Sequence, residues 1–158
     1  MSTKILVTIM EKLLKLHQSL YELSVKKTDI LIEGDMDALN QILKDEQAHI
    51  AAISKFEDER QKVVEAILPG VEKPTISDCV AAVDGAEKDF LDQLRTELME
   101  TVSNIKEKNE LNQQMIHQSL QFVHLTMNLV TPQQVDFNYG PQAGNTSGQS
   151  SGLFNSKA

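Results

Sequence analysis

Residues that break helices or form turns are scarce in most of this sequence of 158 residues. Before residue 131 the only glycines and prolines are Gly34, Pro69, Gly70, Pro74 and Gly85. A domain built from β-strands needs turn residues far more often than this. Aromatic residues make up only 4% and tryptophan is absent. The core must therefore consist mainly of Leu, Ile, Val and Met, which suits helix-on-helix packing, and the sequence predicts an all-α protein.

Cysteine and basic clusters are scarce as well. Cys79 is the only cysteine, which excludes an internal disulfide and a cysteine-based metal site and fits a reducing cytosol. The net charge is −8 and the basic residues are scattered among acidic ones. Nucleic acids and anionic membranes attract clustered Lys and Arg. Lys4 and Glu11 interrupt the apolar N-terminal stretch, which argues against a signal peptide. We expect a cytoplasmic protein that binds neither nucleic acid nor membrane.

One long segment lacks charge altogether. No Asp, Glu, Lys or Arg occurs in residues 111–135, although residues 86–110 hold eleven. The uncharged segment is as long as a membrane-spanning helix. It also contains eight Asn, Gln and His residues between Asn112 and Asn128, and this polar content opposes membrane insertion.

Apolar residues spaced by three and four define the first long helix. They form a heptad seam with one polar interruption: Leu6, Ile9, Leu13, Leu16, Leu20, Leu23, Lys27 and Ile30. Gly34 ends this helix and Asp35 is placed to cap the next one, which is predicted over about residues 36–68. Its inward-facing residues are predicted to include Leu43 and Ile50. So short a turn between two long amphipathic helices predicts an antiparallel hairpin.

The rest of the chain predicts two further helices and a tail. Pro69 and Gly70 end the hairpin, and Thr75 followed by Asp78 is typical of a helix start, so a short helix is predicted before Gly85. A long C-terminal helix is predicted over about residues 86–130. The segment 131–158 is rich in Gln, Gly, Ser and Asn and is expected to be disordered. The predicted organisation is a helical bundle domain, 1–130, followed by the tail, 131–158.

The uncharged part of the last helix has an unusually wide apolar surface. With Asn112, Ser119 and Thr126 at heptad position a, apolar residues cover well over half the helical circumference, more than the roughly 100° of an ordinary bundle helix. This width predicts contacts on two sides. In one interpretation the segment is the central helix of its own bundle or of a homodimer. In the other, one side packs on the hairpin and the other side binds a helix of another protein. The candidate binding residues are Asn112, Met115, Ile116, Ser119, Leu120, Phe122, Val123 and Met127.

The sequence offers little support for an enzyme. Glu46 and His49 have the Glu-x-x-His spacing of di-iron bundles, but such sites need two of these motifs and further glutamates. His17, His117 and His124 have no glutamate three residues before them, and the surroundings of the last two lack the Lys and Gly neighbours of histidine phosphotransfer proteins. No phosphate-binding loop or Ser/His/Asp order is visible. We expect no catalytic residue, metal or cofactor.

Short motifs along nearly the whole chain match a known family. They comprise Asn109-Glu-Leu-Asn112 and Ser119-Leu-Gln-Phe-Val123 in the last helix, then Pro132 and Asn138-Tyr139-Gly140. In the hairpin the corresponding motifs are Tyr21-Glu-Leu23, Gly34-Asp-Met-Asp-Ala-Leu39 and Phe56-Glu-Asp-Glu-Arg60, and the chain ends with Leu153-Phe-Asn-Ser-Lys-Ala158. In these features the sequence resembles FlgN-type flagellar export chaperones of Gram-positive bacteria.

The resemblance implies a cytosolic, non-enzymatic helical protein. Such a protein binds the C-terminal helical segments of the hook–filament junction proteins FlgK and FlgL, prevents their premature assembly, and delivers them to the export gate. The family's tyrosine beyond the last helix contributes to docking on the export gate component FlhA, and Tyr139 is the matching residue. The alternative from another class is a self-associating coiled-coil scaffold, in which the second apolar side is a homodimer interface.

Overall fold

The computed structural model of the protein describes residues 2–130, which form four α-helices. Their bounds are α1, Ser2–Glu33; α2, Met36–Ile67; α3, Ile76–Ala82; and α4, Gly85–Val130. The described residues contain no β-strand. The all-α prediction, the order of the helices and their approximate bounds are confirmed. The predicted disordered tail, residues 131–158, lies outside the described residues.

The chain divides into two compact units, Met1–Gln113 and Gln114–Ala158. The first unit contains α1, α2, α3 and α4 as far as Gln113. The described part of the second unit is the remainder of α4. The predicted boundary between a bundle domain and a tail at residue 130 stays a prediction, because the structure describes nothing beyond that residue.

The turn between α1 and α2 is set by a glycine and an aspartate. Gly34 has a φ of 75°, a left-handed conformation that other residues rarely adopt, and its N–H donates to the carbonyl of Ile30 at 2.9 Å. The Asp35 carboxylate then accepts the N–H of Ala38 at 3.1 Å. Gly34 forms a backbone hydrogen bond at the end of α1, and Asp35 forms a capping hydrogen bond at the start of α2. Because these two residues are adjacent, the chain reverses within two residues.

A reciprocal pair of hydrogen bonds starts α3. The Thr75 N–H donates to the Asp78 carboxylate at 2.8 Å, and the Asp78 N–H donates to the Thr75 hydroxyl at 3.2 Å. This capping box satisfies two backbone donors that the helix itself leaves without partners. The predicted helix start at Thr75 is therefore confirmed, and it positions the seven-residue α3 against the end of α2.

The apolar core of the first unit is formed by residues from all four helices. It joins the first half of α1 to the end of α2, to α3 and to the start of α4. Its buried members are Leu6, Ile9, Met10, Leu13, Leu14, Val64, Ile76, Cys79, Leu91 and Leu94. Burial raises the pKa of the Cys79 thiol, and nearby Asp78 raises it further. Cys79 is thus a small buried apolar group.

The heptad pattern misplaced four apolar residues. Met10 and Leu14 lie outside the predicted seam of α1 but are buried, whereas Leu43 and Ile50 of α2 were predicted to face inward but are exposed. The first half of α1 packs into a core supplied by three other helices, so a wider face is buried there. The first half of α2 has no α3 beside it, which leaves more of its surface in water.

Truncation of a core leucine tests this division between core and surface. Leu91→Ala should lower the free energy of unfolding by about 2–5 kcal/mol, because Leu91 is fully buried and the change leaves a cavity. The matched control is Leu129→Ala in the same helix, where the side chain is 75% exposed. This substitution should alter the free energy of unfolding by no more than about 0.5 kcal/mol. Urea unfolding followed by circular dichroism measures both. Equal losses would contradict the assignment of the core.

Candidate functional site

Buried polar side chains connect α1 to α4 within the first unit. The Thr28 hydroxyl donates to Oδ1 of Asn112 at 2.6 Å, and Nδ2 of Asn112 donates to the carbonyl of Ser24 at 3.0 Å. The Ser24 hydroxyl in turn donates to Oδ1 of Asn109 at 3.2 Å. Asn112 is only 1% exposed. Its amide is therefore satisfied inside the bundle.

This placement corrects the prediction for Asn112. The heptad pattern grouped Asn112 with Ser119 and Thr126 as an open surface that could bind another helix. The structure places Asn112 in the bundle and the other two on exposed positions. The physical reason is that Ser24 and Thr28 of α1 offer the hydrogen bonds that a buried amide requires. Periodicity defines the face on which a residue lies, but it does not define which neighbour covers that face.

A second set of polar contacts connects α1 to α2. Nζ of Lys27 donates to both carboxylate oxygens of Glu46, at 3.0 and 3.3 Å, and this ion pair is largely shielded from water. The Ser19 hydroxyl contacts Nε2 of His49 at 2.8 Å, and Nδ1 of His49 donates to the carbonyl of Asp45 at 2.7 Å. The Glu-x-x-His pair is thus engaged by other groups of the bundle. Among residues 2–130 no group of three or more His, Cys, Asp or Glu side chains is arranged to hold a metal ion.

The exposed apolar face of α4, residues 115–130, is the candidate functional site. Every side chain of residues 117–130 is exposed. At 100° per residue the apolar residues cover an arc of roughly 220°. Its large exposed members include Leu120, Phe122, Val123 and Leu129, which are 49–75% exposed. An uncovered apolar arc of this width is suited to contact with another helix.

The predicted binding residues other than Asn112 lie on this face. Met115 and Ile116 are half-buried, whereas the others are exposed: Ser119, Leu120, Phe122, Val123 and Met127. Three further exposed apolar residues extend the face and were not among the predicted set: Leu125, Leu129 and Val130. The same heptad pattern could have identified them. Tyr139 lies outside the described residues, so its predicted role remains a prediction.

In residues 115–130 of α4, polar groups lie in the middle of the apolar arc and on the opposite side of the helix. Ser119 and Thr126 lie near the middle of the apolar arc, where the Thr126 hydroxyl donates to the carbonyl of Phe122 at 2.9 Å. On the opposite side, the Gln121 amide and the His117 ring lie 3.3 Å apart. The side chains of Ser119 and Thr126 are shorter than the Leu, Met and Phe side chains of the arc. No helix among the described residues is both long and apolar enough to cross a membrane.

Replacement of Asn112 tests its place inside the bundle. Asn112→Ala should lower the free energy of unfolding by about 1–3 kcal/mol, because Thr28 and Ser24 lose a buried partner. The control Asn128→Ala, at an exposed position of the same helix, should leave stability unchanged or slightly raised, since alanine favours helix. Thermal and urea unfolding measure both variants. A neutral Asn112→Ala would show that the contacts do not hold α1 to α4.

Comparison with known proteins identifies the family. The family described as "FlgN protein" matches residues 1–147. A relative from Bacillus subtilis (strain 168), named "Uncharacterized protein YvyG", is 37% identical over 139 residues, which cover 88% of this chain and 87% of the relative. No solved structure matches the chain. FlgN proteins form a family of flagellar export chaperones and not of enzymes. A match that spans nearly the whole chain shows that this protein belongs to the FlgN family.

Proposed function

We propose that this protein is a cytosolic export chaperone that binds the C-terminal helical segments of FlgK and FlgL through the exposed apolar face of α4. In this proposal it keeps these hook–filament junction proteins from assembling early and delivers them to the export gate through FlhA. Family membership supports the general role of flagellar export chaperone. The exposed face supports the choice of binding surface.

The main observation that supports the proposal is the exposure of the apolar face of α4. Each large apolar side chain that stays in water forgoes about 1.5–3 kcal/mol of burial free energy. Contiguous apolar surface of this kind marks interaction sites in soluble proteins. Leu120, Phe122 and Val123 lie within four residues of one another along α4, and all three are exposed. A partner that covers them recovers the free energy that the isolated chain does not gain.

The geometry suits the binding of a helix. An amphipathic helix can place its apolar face against the arc, with its anchors at spacings of three and four residues. Ser119 and Thr126 allow the partner's backbone to come close and can form hydrogen bonds with it. Met115 can adapt to more than one client shape because its side chain is unbranched and flexible. The client's own apolar surface is hidden in the same contact, which would prevent premature assembly.

Charge introduced into the face should abolish client binding. Leu120→Asp or Val123→Asp would bury a carboxylate against the client's apolar surface without a compensating charge. We expect affinity to fall by at least about 100-fold, which corresponds to roughly 3 kcal/mol. Isothermal titration calorimetry with the purified C-terminal segment of FlgK measures the loss. Helicity and melting temperature should stay nearly unchanged, because both residues are exposed.

Gln121→Asp is the matched control for these variants. Gln121 is exposed on the polar side of the same turn, so the added carboxylate stays in water and client affinity should be retained. Variants at Leu120 or Val123 that unfold would show these residues to be core. Variants that fold and bind normally would show that the client docks elsewhere. Either outcome would refute the proposed binding surface.

The competing scaffold function makes a different prediction for the isolated chain. A self-associating scaffold would bury the same face against a second copy. Light scattering on the purified protein should give the mass of a monomer if the face is reserved for a client. A stable dimer that Leu120→Asp dissociates would instead support the scaffold.

The tail is proposed to act in delivery and not in client binding. Tyr139→Ala, and deletion of residues 131–158, should leave the affinity for the FlgK segment unchanged, because the proposed binding surface lies within α4. Secretion of FlgK in a strain that carries either variant should fall, because docking on FlhA is impaired. Phe137→Ala is the control for a general effect of losing an aromatic residue near the end of the helix. Equal loss of client affinity and secretion would contradict this division of roles.

A further inference from the structure

The exposed face of α4 differs in charge from the preceding part of the same helix. Residues 111–130 contain no Asp, Glu, Lys or Arg, whereas residues 86–110 contain eleven. A surface helix ordinarily carries charged residues beside and opposite its apolar stripe. Here amide and imidazole groups take those places in residues 114–130, and the hydroxyl groups of Ser119 and Thr126 lie within the apolar arc itself. The amide and imidazole side chains are those of Gln114, His117, Gln118, Gln121, His124 and Asn128.

The lack of charge determines what the face can accept. A carboxylate or ammonium group brought onto Ser119 or Thr126 would lose its water and meet no group of opposite charge. The Thr126 hydroxyl already donates to the carbonyl of Phe122, so it offers a visiting group an acceptor oxygen and not a second proton. Burial of a charge without a counter-charge is strongly unfavourable. The penalty applies to groups of both signs, because a hydroxyl offers at most a hydrogen bond and no counter-charge.

We infer that the helix bound by this face presents to it a surface without Asp, Glu, Lys or Arg, and that the face selects clients by excluding charges of both signs. This inference rests on the proposed function, because it describes the client of the same surface. Apolar side chains of the client contact the arc, and uncharged polar side chains contact Ser119 and Thr126. Such selection works by penalising wrong partners and not only by attracting the right one. Because no ion pair crosses the interface, the dissociation rate is insensitive to salt.

Substitutions of opposite sign at the middle of the face test the inference. Ser119→Asp and Ser119→Lys are made in the full chain, and the probe is the purified C-terminal segment of FlgK. Both variants should weaken binding by similar factors, on the order of tenfold or more, because either charge is buried against an uncharged surface. Gln121→Asp and Gln121→Lys, on the exposed polar side, should change the Kd by less than about twofold. Circular dichroism confirms that all four variants fold.

The outcomes separate the inference from the proposed function. Tighter binding by one of the two Ser119 variants and weaker binding by the other would show that the client surface is charged. That result would overturn the inference but leave the proposed function in place. Unchanged binding with both Ser119 variants would also overturn it, because Ser119 would then lie outside the contact. A dissociation rate that rises more than about tenfold between 0.1 and 1 M NaCl, where the screening length falls from about 10 to 3 Å, would show ion pairs across the interface. If the wild-type chain does not bind the FlgK segment, the proposed function fails and the inference fails with it.

Discussion

The hydrogen bond between Thr28 and Asn112 connects the first long helix to the last, and the rest of the first unit depends on the register that it sets. The Lys27–Glu46 ion pair, one residue away on α1, does the same between α1 and α2. A shift of one helical turn, about 5.4 Å, would separate both pairs. A buried polar group that loses its partner costs about 1–3 kcal/mol, so alternative registers of these otherwise similar helices are disfavoured.

Apolar and polar contacts along α1 contribute in different ways. Leu6 and Leu13 belong to the core that all four helices form, which supplies burial free energy but little geometric selectivity, because aliphatic side chains pack in many registers. Ser24 and Thr28 lie further along the same helix and add little apolar burial, yet their partners on α4 must lie at defined positions. Apolar burial thus stabilises the bundle, and polar pairing selects one arrangement of it.

The sequence predicted those features that depend on local chemistry. The end of α1 followed from Gly34 and the start of α3 from Thr75, because helix capping involves residues close together in the chain. Features that depend on distant neighbours were less predictable. Asn112 was assigned to an open surface because its partners, Ser24 and Thr28, lie more than eighty residues earlier in the chain. The exposed face of α4 was predicted as a wide apolar arc, but the exposure of every side chain in residues 117–130 follows only from tertiary structure.

The distribution of charge favours a client over a second copy as the partner of the exposed face. The chain carries a net charge of −8, yet the face itself has no Asp, Glu, Lys or Arg. Two copies repel each other at long range through their net charge, which slows their encounter without changing the contact itself. This repulsion is weaker for a client of smaller negative net charge and is absent for a client of opposite net charge. At short range the uncharged face gains from the burial of apolar surface on any uncharged helix. If the face binds a client as proposed, the net charge of the chain slows the encounter of two copies, whereas the uncharged face can still bind an uncharged helix of the client.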